Sequence, residues 1–161
     1  MKIVEQREQL GRKWYVALTK SRYEDTAHFY LRSRGIEVFH PKLVLPTPNN
    51  SGRQVLSLFP SYIFVSIDAS SSDYFQVAWC PGIRKLVGFG GEPSPIETGI
   101  VDFLREQTDG KGLIVARSNL KVGDEIQIID GPFKGLAGII QQPPDSKTRV
   151  SVLMRIRSRA G

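Results

Sequence analysis

At 161 residues with 40% hydrophobic content, the chain can build a packed core as one ordinary domain or two small ones, so disorder is not the default expectation. A net charge of +6 and a pI near 9.6 favour polyanionic partners, yet no run of about five like charges occurs, so the excess serves equally as a solubilising surface. The single cysteine, Cys80, excludes an internal disulfide and a zinc finger; no apolar run approaches the ~20 residues of a membrane span, and the polar start M-K-I-V-E-Q-R-E-Q-L does not suit a signal peptide, so a cytoplasmic protein is expected.

After a charged leader, Trp14-Tyr15-Val16-Ala17-Leu18 is short, aromatic and β-branched and predicts a buried strand. Ser21 followed by Glu24 reads as a capping box that opens a helix with Tyr23, Ala27, Tyr30 and Leu31 on one face, and Gly35 supplies its left-handed stop. Ile36 to Leu45 predicts a strand interrupted by Pro41, and Thr47 to Gly52 a turn or hairpin tip. Arg53 to Asp68 is a second extended run broken at Phe59-Pro60, with Tyr62 to Ile67 its strongest part. Ser70 to Asp73 precedes Tyr74, Phe75, Ala78 and Trp79 and predicts a short helix stopped by Pro81-Gly82; Arg84 to Phe89 is a further strand. Ser94-Pro95-Ile96-Glu97 combines a capping box with proline at the first helical position, and Ile96, Ile100, Phe103 and Leu104 continue at helical spacing to Gln107.

This order is that of a ferredoxin-like α/β sandwich with one extra helix. Residues 108–120 lose periodicity and read as a linker, dividing the chain into 1–107, a linker 108–120 and a second domain 121–161. Within the last, V-G-D-E-I-Q-I-I-D-G-P-F-K-G-L-A-G-I-I (Val122 to Ile140) alternates apolar residues on either side of Gly131, Pro132 and Gly135, the pattern of two strands around a tight turn. Val150 to Met154 predicts a third strand, after which the chain stops. A small β domain is therefore expected, its Val, Ile and Gly content favouring β structure over helix.

The Val122–Ile140 hairpin resembles the KOW motif. Together with Lys13-Trp14-Tyr15-Val16, Leu58-Phe59-Pro60-Ser61-Tyr62-Ile63-Phe64-Val65 and Pro81 to Gly91, in order and at the expected spacing, the whole chain resembles the NusG family of transcription elongation factors, an NGN domain followed by a KOW domain. The short tip between Val44 and Val55 and the L-F-P-S-Y-I-F-V strand are similar to the specialised RfaH-like paralogues. The resemblance implies a monomeric, cofactor-free antitermination factor that binds RNA polymerase and suppresses pausing or termination at particular operons. It implies that the second domain is a small SH3-like β-barrel, which here is either complete beyond the given sequence or lacks its last strand, with an open edge and a marginal core; in RfaH-like members this domain can also refold as a helical hairpin over the polymerase site.

It further implies that Tyr15, Phe59, Pro60, Tyr62 and Phe64 dock on the clamp helices of the polymerase largest subunit, aromatic anchors being suited to such a groove. Interior packing is the competing account of these rings. Ser71, Ser72 and Asp73 fall where paralogues touch the polymerase gate loop. Lys20, Arg22, Arg84 and Lys85 are candidate contacts for non-template DNA, or else a solvated rim. Phe133, at the hairpin turn, would meet ribosomal protein S-ten or Rho, or fold back over the barrel.

No enzyme is expected. Gly88-Phe89-Gly90-Gly91 lacks the Gly-Lys-Ser/Thr of a phosphate loop, His28 and His40 stand outside metal-ligand spacing, and Cys80 and Ser70 to Ser72 lack a neighbouring base. Two further readings remain open. One is an RRM-like RNA-binding protein using sheet aromatics, although Leu58-Phe59-Pro60 replaces the usual glycine-and-basic approach; the other is a ribosome-associated factor, read from the hairpin alone.

Overall fold

The computed structural model describes residues 11–47, 49, 51–115, 134–141 and 145–160. In chain order the elements are β1 (Lys13–Thr19), α1 (Glu24–Ser33), β2 (Glu37–Phe39), β3 (Lys42–Pro46), β4 (Arg53–Ser57), β5 (Tyr62–Ile67) and α2 (Asp73–Ala78). There follow β6 (Ile83–Leu86), β7 (Gly88–Phe89), β8 (Glu92–Pro93), α3 (Thr98–Glu106), β9 (Leu113–Val115), α4 (Lys134–Gln141) and α5 (Ser146–Ala160). The chain is α+β, and it divides into two compact units, Met1–His40 with Ser61–Val101, and Pro41–Pro60 with Asp102–Gly161.

The first unit is built on an antiparallel sheet of order β2-β5-β1-β6, the ferredoxin-like arrangement that the element order predicts. Alternation along β1 and β5 sends Tyr15, Ala17, Ile63, Val65 and Ile67 to one face, where they meet Ala27 and Leu31 of α1 and Val77 of α2. The opposite face carries Trp14, Val16 and Phe64, also buried, and Phe39 leans on Phe64 with ring centroids 6.0 Å apart.

Helix ends depart from expectation in instructive ways. Gly35, at φ +78°, ends α1 as predicted. The capping box is absent, because the residue before α1 is Tyr23 and Glu24 turns away to accept the Ser61 amide at 2.7 Å. The next predicted box also yields to tertiary pairing. Ile96 bridges to Trp14, its amide donating to the Trp14 carbonyl at 2.8 Å, so α3 begins only at Thr98. The predicted strand Arg84 to Phe89 is two pieces, of which β7 turns back onto β8 through Gly90 and Gly91 at positive φ.

Both long extended runs break at their prolines. Ile36–Leu45 splits into β2 and β3, and Arg53–Asp68 into β4 and β5, so each run serves two sheets. In the second unit β3 pairs antiparallel with β4 and parallel with β9, and the Leu58 amide donates to the Pro41 carbonyl at 2.9 Å beside the break. The stretch read as linker thus contains a strand, Leu113–Val115.

The β-barrel expectation is overturned for the described carboxy-terminal residues. Lys134–Gln141 and Ser146–Ala160 are helices, and the expected third strand, Val150 to Met154, lies inside α5. Leu136, Ile139 and Ile140 line the buried side of α4, and Arg149, Val152, Leu153 and Ile156 that of α5, both at helical spacing. A Cβ on Gly135 would lie 2.9 Å from Val152 Cγ1, so glycine lets the two helices approach closely. Residues 116–133, which hold the first hairpin strand and Phe133, lie outside the described residues.

Candidate functional site

Of the five residues expected on the polymerase side, three are sealed in this conformation. Tyr15 belongs to the helix-covered core, and burial together with the Asp68 carboxylate raises its phenol above the usual range. Phe64 is fully buried on the other sheet face, and Phe59 is fully buried within the second unit. Pro60 and Tyr62 are half-buried. The backbone around them is held tightly. Ser61 sits at φ +69°, its amide bound to Glu24 and its carbonyl accepting from the Thr19 amide at 2.8 Å.

One functional candidate escaped the sequence reading. Arg149 of α5 is buried, and its Nε–H donates to the Leu58 carbonyl at 2.9 Å, one residue before Phe59. Burial pulls this guanidinium below its ordinary range, while the Asp145 carboxylate opposes the pull. Asp145 also opens α5, accepting from the Thr148 amide at 3.1 Å and the Thr148 hydroxyl at 2.9 Å. A lone arginine among apolar residues at helical spacing was the available signal, hidden by the strand reading of that segment.

The four candidate nucleic-acid contacts all lie in the first unit. The Lys20 amide donates to the Gly82 carbonyl at 2.7 Å, and Lys85 pairs with Leu18 across the β1–β6 ladder, beside a bulge at Leu18 and Thr19. Lys20, Arg22, Arg84 and Lys85 are all exposed, and Arg22 holds a left-handed φ of +67°. Ser71 and Asp73 form a small network with Asp68 at the start of α2, where Ser72 precedes the helix without a side-chain cap bond. The Ser71 hydroxyl donates to the Asp68 carbonyl at 2.8 Å and accepts from the Asp73 amide at 3.2 Å. The Asp68 carboxylate is lowered by Ser70, whose hydroxyl and amide both donate to it.

Metal chemistry finds no constellation among the described residues. No cluster of three His, Cys, Asp or Glu could hold a metal ion. His28 and His40 meet edge to face at 6.2 Å, and His40 Nδ1 lies 3.3 Å from the Asp25 carboxylate. No helix among the described residues is long and apolar enough to cross a membrane.

Residues 12–105, more than half of the chain, match the family model described as transcription termination factor nusG. The chain belongs to the NusG family. Among curated relatives, the transcription termination/antitermination protein NusG of Bacillus subtilis is 24% identical, with 93% of this chain and 92% of that protein covered. Its Staphylococcus aureus counterpart is 28% identical, with 91% and 88% covered. A solved structure described as domain interaction in Thermotoga maritima NusG is similar at 25% identity and a TM-score of 0.43, covering 76% of this chain and 75% of that one. These NusG relatives are transcription factors by name, and the family assignment places the matched region across the first ferredoxin-like unit and the β3–β4 hairpin.

Proposed function

We propose that this NusG-family chain is a specialised, RfaH-like antitermination factor that docks on the clamp helices of RNA polymerase and that the described conformation is its closed state. The observation that carries the reading is the helical α4–α5 segment fastened by Arg149 to the Leu58 carbonyl, with Phe59 fully buried next to it. Docking through Phe59 requires that fastening to be released, after which Phe59 joins Pro60 and Tyr62 as an apolar anchor. Tyr15 and Phe64 then act from beneath, as the packing that holds Tyr62 in place. Ser71, Ser72 and Asp73 reach the gate loop, and Lys20, Arg22, Arg84 and Lys85 hold the non-template DNA. Once free, the carboxy-terminal domain contacts ribosomal protein S-ten or Rho through Phe133. The factor acts in the cytoplasm, suppressing pausing or termination at specific operons.

An RRM-like reading is less favoured, because its stacking platform would be the sheet face on which Trp14 and Phe64 are buried. Polymerase capture tests the proposal directly. A buried hydrogen bond from a charged donor contributes roughly 1.5–3 kcal/mol, so Arg149→Ala is expected to raise capture of core RNA polymerase by about tenfold or more. Tyr62→Ala in that background is expected to abolish the gain. Equal capture by wild type and Arg149→Ala, with both chains folded by circular dichroism, defeats the closed-state reading.

A further inference from the structure

We propose that the outer side of the α1–α2 layer is a docking face for a partner protein presenting an apolar centre with an acidic rim. The two helices cover one face of the four-stranded sheet, α1 through Ala27 and Leu31 and α2 through Val77 and the adjoining Cys80. Cys80 Sγ lies 3.9 Å from the Ala27 carbonyl, so the end of α2 abuts the middle of α1. Away from that core stand three large aromatics: Phe29 on α1 is 80% exposed, and Phe75 and Trp79, one turn apart on α2, are 62% and 81% exposed. Fold stability has no use for them there. Exposed rings of this size, gathered on one layer, mark an interaction surface, and aromatics are enriched at the centres of protein interfaces.

The rim decides the chemistry of the occupant. Residues 20–34 and 70–85 carry six basic side chains against three acidic ones. Of the three acids, Glu24 accepts from the Ser61 amide and Asp73 from the Asp68 amide, while Asp25, beside His40, keeps a side chain that is 72% exposed, so the balance of the rim stays basic without being free of acid. Arg32, Arg84 and Lys85 are exposed. A second copy of the same face would set basic rim against basic rim, which like-charge repulsion disfavours. The rings also suit a protein better than a polynucleotide strand. Phe75 already packs edge-on against Tyr74, with centroids 5.6 Å apart, so it does not stand as a separate base-sized plate. This face shares no residue with the proposed clamp-helix site and is independent of it, but its rim includes Lys20, Arg22, Arg84 and Lys85, so it competes with the proposed DNA contact for those four side chains.

The chain contains its own reporter. Of its two tryptophans, Trp14 is 7% exposed and Trp79 81%, so quenchable, red-shifted emission comes from Trp79. The full chain is titrated with three probes: a synthetic amphipathic helix with a leucine stripe flanked by glutamates, the same peptide with lysines replacing the glutamates, and a single-stranded oligonucleotide. The acidic peptide is expected to blue-shift Trp79 and shield it from acrylamide, with affinity falling as salt rises. The double variant Phe29→Ser, Phe75→Ser is expected to weaken that binding by about tenfold with an unchanged melting temperature. The proposal is overturned if the lysine peptide binds as well, if the double variant binds normally, or if no peptide shifts Trp79. A shift produced by the oligonucleotide alone, or by raising the protein concentration without any probe, overturns it in favour of nucleic acid or self-association.

Discussion

Beneath α1 the thiol of Cys80 packs against the Ala27 carbonyl, 3.9 Å away, and burial pushes its pKa up to about 11. The folded chain therefore keeps this proton at a pH where the unfolded chain has begun to release it. Stability from this group is complete below about pH 9, near the unfolded thiol value, and is lost as pH rises towards 11. Chemical denaturation between pH 8 and 11 is expected to show a decline that Cys80→Ala flattens, and the thiol of the native chain is expected to resist labelling until denaturant is added. Other single residues show the same dependence on surroundings. Glu24 had the sequence position of a capping residue but binds the Ser61 amide, because Ser61 in its left-handed conformation presents that amide to it. Phe59, Phe64 and Tyr15 carried the aromatic character of an interface, and their burial was illegible because alternation states which residues share a face without stating what covers it.

Among the elements, β1, β5, α1 and α2 were legible because their periods and stops are local: β-branched alternation, helical apolar spacing, Gly35 and Pro81-Gly82. The carboxy-terminal helices were not. Leu136, Gly138 and Ile140 satisfy a strand period while Leu136, Ile139 and Ile140 satisfy a helical one, and two glycines cost a helix about 1 kcal/mol each. Packing reverses that preference, since Gly135 is what admits Val152 to within van der Waals contact of the α4 backbone. Gly135→Val adds a branched side chain where even a Cβ is too close, and it favours strand intrinsically. The variant is expected to lose helical signal at 222 nm and, on the proposed closed-state reading, to capture polymerase more strongly. Unchanged ellipticity would show that the α4–α5 contact does not hold the helices in place.

Over the molecule as a whole, the compact units do not follow the chain. Pro41–Pro60 belongs with Asp102–Gly161, so the polypeptide passes between units at three places. Each unit has its own buried set, centred on Tyr15, Leu31, Ile63 and Val65 in the first, and on Leu43, Phe59, Leu136 and Leu153 in the second. Leu153→Ala removes a fully buried side chain, at a cost of about 2–5 kcal/mol to the second unit. The helical transition followed at 222 nm is expected to move to lower denaturant while the transition of Trp14, followed with Trp79 replaced by Phe, stays in place. Coincident shifts of both probes would show instead that the units unfold as one.

The main strands and helices of the first unit, its ferredoxin-like sheet and membership of the NusG family could be read from the chain alone, since they rest on short-range periodicity, turn residues and motif spacing. Tertiary structure decided which aromatics are accessible and whether Lys134–Gln141 and Ser146–Ala160 are strand or helix. Both are questions about what surface lies against a residue. For a segment compatible with two periods, the free energy of burial against its neighbours is larger than the propensity difference between them.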